Sequence, residues 1–286
     1  MTLSNYPLQS ASNLPKPSLA GLLRELHARD TWLTRAGLFL LVLMVPVFAV
    51  SLFDSRLFEG TGVWVKPMKF LFSVGIYLLT VAWFMAYTRP QFRAGKGRTW
   101  LSGILVVAGL FEALYITLQG GLGEASHFNN SDLLHGILYS FMGLGALLLT
   151  IMVGWQGVEI ARHKTSSLAS VLRWSLVLGL LLTFVMTTVV GFTISAFNGP
   201  IVGIERADSI GLWLFGWSRN AGDLRAAHFI GTHAMHLLPL AGFLLVRWQA
   251  KNAAVWLGVV TFLFTLLWGF TYWQALQGQP FLPMIG

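Results

Sequence analysis

Seven long, mainly apolar stretches limit what this chain can become. They are Thr31–Phe53, Met68–Tyr87, Trp100–Gly120, Leu133–Gln156, Val171–Phe197, Leu224–Trp248 and Ala253–Leu276. A helix needs about 20 such residues to cross a bilayer. Inside lipid the backbone has no water to bond, so an unbroken apolar run of this length must be helical. The composition agrees, with 55% hydrophobic and only 10% charged residues, where soluble domains carry roughly 25% charge. The expected fold is all-α: a polytopic membrane protein whose seven-transmembrane-helix bundle occupies residues 31–286.

Residues 1–30 read as a separate cytoplasmic segment. "LPKPSLAGLLRELHARD" begins with proline punctuation and continues as a short amphipathic helix. Leu19, Leu22, Leu23 and Leu26 fall on one face, with Arg24, Glu25 and Arg29 off it, and Ser18 suits the N-cap. Such a helix is expected to lie on the membrane surface, with lipids as its partner.

The net charge of +8 is explained by where the bases fall. Thirteen Lys and Arg lie on the side of the N-terminus and six on the other. The positive-inside rule then gives a multi-pass inner (plasma) membrane protein with a cytoplasmic N-terminus and the C-terminus outside. The basic excess is a topology signal, so no nucleic-acid partner is expected. Cysteine is absent, which excludes disulfides, thiolate metal sites and iron–sulfur ligation. The seventh run has no Lys for a retinal Schiff base. It also has no His, so the HxxxH pair of seven-span zinc hydrolases is missing.

Ionisable residues within lipid are costly and mark functional positions. "HFIGTHAMHLLP" places His228, His233 and His236 in the sixth run. Arg225, His228, Thr232 and His236 share a narrow sector at 100° per residue. His233 and His236 should lie at one level, with His228 further out. Pro239 frees the carbonyl of Met235, which is expected to fix the tautomer of His236. The third run presents Glu112, Tyr115 and Gln119 on one face, with Glu112 turned inward within reach of these histidines. The following loop carries Glu124, His127 and Asp132, and His135 opens the fourth run. Lys66 and Lys69 fall at the same outer level.

This clustering supports two chemistries. Imidazole and carboxylate suit iron, copper, zinc or haem, with His135, His233, His236, Glu112 and His127 as metal ligands. His135, His228, Tyr115, Gln119 and Arg225 would hold a cofactor, and Glu112 would be the catalytic group of a membrane oxidoreductase. Alternatively, the protein is a small-solute or proton-coupled transporter, or a ligand sensor without a cofactor. Its small hydrophobic or ionic ligand would enter from the outer side, where Lys69 and Arg225 attract anions.

Overall fold

The computed structural model describes residues 18–129, 131–205, 211–213 and 215–283. Lys16 and Arg206, two of the bases used for the orientation, lie outside these residues. The chain forms a surface helix α1 (Leu19–Arg29) and seven long apolar helices. These are α2 (Thr31–Ser51), α3 (Val65–Met85), α5 (Lys96–Leu122), α6 (Leu133–Ala161), α7 (Ser170–Ala196), α8 (Leu224–Arg247) and α9 (Ala253–Leu276). A single short turn of helix, α4 (Pro90–Ala94), links α3 to α5. The fold is an all-α, multi-pass membrane bundle, as the apolar runs require.

Local signals set the helix ends. The Ser18 hydroxyl accepts from Gly21 N–H at the start of α1, and Asp30 caps α2 through Trp32 and Leu33. Three helices run further than their apolar stretches, α5 by four residues at its start and two at its end. α3 begins at Val65, so Lys66 and Lys69 sit in its first two turns. α6 continues past Gln156 to Ala161 because its late charge is neutralised. Glu159, 2% exposed, receives two hydrogen bonds from Arg89, at 2.8 and 3.0 Å.

The helices pack in sequence order, α2 on α3, α3 on α5, α5 on α6, and so on to α9. The longest interface joins α7 and α8, where small residues let the backbones approach. A Cβ at Gly179 would lie 2.9 Å from the carbonyl of Ala234, and one at Gly242 would overlap Ser175. Phe262, Leu266 and Phe270 on α9 stay exposed, as expected of a helix that meets lipid.

Two small antiparallel ribbons close one end of the bundle. β1 (Leu57–Phe58) pairs with β2 (Thr61–Gly62), and β3 (Ile201–Val202) pairs with β4 (Gly222–Asp223). Asp54 holds the first ribbon in place by accepting from Arg56 and from Trp64 Nε1. The Arg56 guanidinium keeps that carboxyl well below the usual carboxylate range. Asp223 caps α8 through Arg225 N–H. This end carries the N-termini of α3, α6 and α8 and is called here the histidine end.

Candidate functional site at the histidine end

α3 and α8 both start at the histidine end and meet at two levels. At the rim, Lys69 Nζ donates to the carbonyl of Phe215 (3.1 Å), and Arg225 donates to the next carbonyl, that of Gly216 (3.0 Å). Eleven residues deeper on each helix, His236 Nε2 lies 3.2 Å from Thr80 Oγ1. Eleven residues of helix rise about 16 Å. Between the two levels α3 and α8 are not packed closely on one another.

The rim is basic. Arg225 is paired with Asp223 at 2.6 Å, but neither Lys66 nor Lys69 forms an ion pair among the described residues. Lys66 Nζ instead lies 3.3 Å from His127 Nδ1, which Ser126 Oγ also approaches at 3.1 Å. With Nδ1 serving as the acceptor, His127 keeps Nε2–H as a donor. Burial, and then the Lys66 ammonium, push the His127 pKa down to about 3, so the ring is neutral. Lys66 and Arg225 in the first turns of their helices, with Lys69 one turn on, also oppose the macrodipole, at about 0.3–1 kcal/mol each.

Deeper in, the tautomers are set by geometry. The Thr80 hydroxyl donates to the carbonyl of Ile76 (2.8 Å), which leaves its oxygen to accept Nε2–H of His236. His236 Nδ1 then carries the lone pair, and it is buried without a partner. An unmet buried acceptor costs about 1–3 kcal/mol. His233 donates from Nδ1 to the carbonyl of Phe229 at 2.8 Å, leaving its lone pair on Nε2. The two rings are 5.3 Å apart, which brings them to one level. His228 is half-buried, one helical turn outward of Thr232, which accepts nothing from it but bonds its carbonyl.

The remaining candidate residues lie elsewhere, which corrects the expectation of one shared site. Glu112 is 4% exposed, but it is turned to α6 and not to α8. Its Oε1 has no partner and fills the notch of Gly145, where an added Cβ would come within 2.8 Å. Tyr115 and Gln119 satisfy each other at 2.9 Å, and Gln119 also reaches the carbonyl of Ala125, so both hold the loop rather than an open pocket. His135 has both ring nitrogens on carboxylates, Asp132 at 2.8 Å and Glu124 at 3.3 Å. Among the described residues no three His, Asp or Glu are placed to hold a metal ion. The proton of His236 goes to Thr80, not to the carbonyl of Met235.

Sequence reasoning missed Thr80 and the two loop carbonyls. Thr80 had a usable signal, because a spacing of eleven residues returns a helix to within about 20° of the same face. Lys69 and Thr80 repeat the spacing of Arg225 and His236. The carbonyls of Phe215 and Gly216 have no signature in residue type. No protein-family model matches the chain, and no curated protein or solved structure is significantly similar to it.

Proposed function

We propose that this integral membrane protein captures a small anionic solute at the histidine end and passes it along the strip between α3 and α8. The observation that carries this reading is the rim: Lys66 and Lys69, without carboxylate partners among the described residues, beside Arg225 at the positive ends of two helices. Charge held against the helix dipoles stabilises an anion rather than the fold. The thirteen-to-six distribution of bases supports an outward-facing histidine end. His228, His233 and His236 supply polar groups from this rim toward mid-membrane.

The test is calorimetric titration of the detergent-solubilised protein with inorganic phosphate, sulfate and succinate. At least one should bind saturably, and the Lys66→Ala/Lys69→Ala double variant should bind it at least about tenfold more weakly, which is about 1.4 kcal/mol. No saturable binding of any of the three, or unchanged binding in the double variant, would overturn the reading.

A further inference from the structure

The geometry points to a second site deeper on α8: His233 Nε2 and His236 Nδ1 as two ligands of a tetrahedrally bound divalent cation of the zinc class. This inference does not rest on the anion reading, which is carried by Lys66, Lys69 and Arg225 at the rim; it is carried by the ring nitrogens of His233 and His236, about 12 and 16 Å further along α8 than Arg225.

Three observations carry it. Each ring is fixed in one tautomer by an oxygen, His233 by the carbonyl of Phe229 and His236 by Thr80. Metal-bound histidines are held in the same way, with the outer N–H donated to a fixed acceptor. Each ring therefore keeps one lone pair, and that of His236 is buried with no partner. Finally, the ring separation fits. A nitrogen lies roughly 1.2 Å from the imidazole centre and a zinc–nitrogen bond is about 2.0–2.1 Å, so a shared ion sits about 3.2 Å from each centre. The observed 5.3 Å between centres admits an angle of about 110°, the tetrahedral value, at an ion that both lone pairs face. A linear two-coordinate ion would separate the centres by about 6.4 Å, which disfavours a bis-imidazole copper(I) site.

The protein supplies only two ligands here, since no carboxylate or third imidazole joins them among the described residues. Two positions are left to water or a small anion, and Lys69 and Arg225 further out oppose the positive charge. The ion should therefore bind reversibly and exchange readily.

Cobalt(II) tests this, because its visible bands are strong in tetrahedral and weak in octahedral surroundings. Protein prepared without a polyhistidine tag should show strong bands that saturate at one ion per chain and are displaced by zinc(II). His233→Gln and His236→Gln should each abolish the strong bands, and Thr80→Val should weaken binding by loosening His236. His228→Gln should leave them unchanged, and circular dichroism should show that every variant keeps its helices. Absence of saturable strong bands in the parent overturns the proposal, as does their persistence in both glutamine variants.

Discussion

Thr80 on α3 accepts a hydrogen bond from His236 on α8, 156 residues later. The same offset separates Lys69 from Arg225, which bond adjacent carbonyls of one loop. The two helices thus run parallel and in register, with a basic rung at the rim and a neutral one in the membrane. Thr80→Val should strand the Nε2 proton of His236 and lower stability by about 1–2 kcal/mol, while Thr80→Ser should restore it. Thermal unfolding in detergent measures both.

Glu112 and Gly145 form a size-matched pair between α5 and α6. Gly145→Ala should be destabilising, because the added methyl meets Glu112 Oε1 at 2.8 Å. Shortening the acid in a Glu112→Ala/Gly145→Ala double variant should recover most of the loss. A double-mutant cycle on melting temperature gives the coupling; additive losses would contradict the contact.

The Arg89–Glu159 pair holds the opposite end. Glu159 is 2% exposed, and its second cation, Arg162, is 3.5 Å away. Arg89→Ala leaves the buried Glu159 carboxylate with Arg162 alone and should lower the unfolding temperature. Adding Glu159→Gln should return much of that. Comparing the unfolding temperatures of the two variants decides it.

His127 makes stability depend on pH. Its folded pKa is about 3 against an ordinary 6.5. Above 6.5 the ring is neutral in both states, and its contribution is complete. As pH falls from 6.5 toward 3, the unfolded chain gains a proton that the folded chain refuses, so stability is lost. His127→Gln should flatten the fall in melting temperature between pH 7 and pH 5. An unchanged slope would place the titrating group elsewhere.

The helices were legible in the sequence because lipid allows one backbone solution for a long apolar run. Even the cap at Ser18 could be read. The end of α6 lies beyond its apolar stretch because Glu159 looks like a terminator until its partner Arg89 is known. The level of His233 and His236 followed from helical phase, and their ring separation bears this out. Which helix each polar face meets did not follow. Glu112 lies against Gly145 on α6, and phase within one helix says nothing about its neighbour. His135 is held by residues nearby in sequence, with Nδ1 bonded to Asp132 at 2.8 Å and Nε2 3.3 Å from Glu124.

Uptake into proteoliposomes tests the central claim most directly. The anion that binds in titration, supplied in labelled form, should enter vesicles containing the protein saturably and faster than empty vesicles. Lys66→Ala/Lys69→Ala should reduce that uptake at least about tenfold at sub-saturating anion, while Lys164→Ala, on the opposite end, should leave it unchanged. Uptake no faster than in empty vesicles, or equal in the parent and the double variant, would contradict transport through the α3–α8 strip.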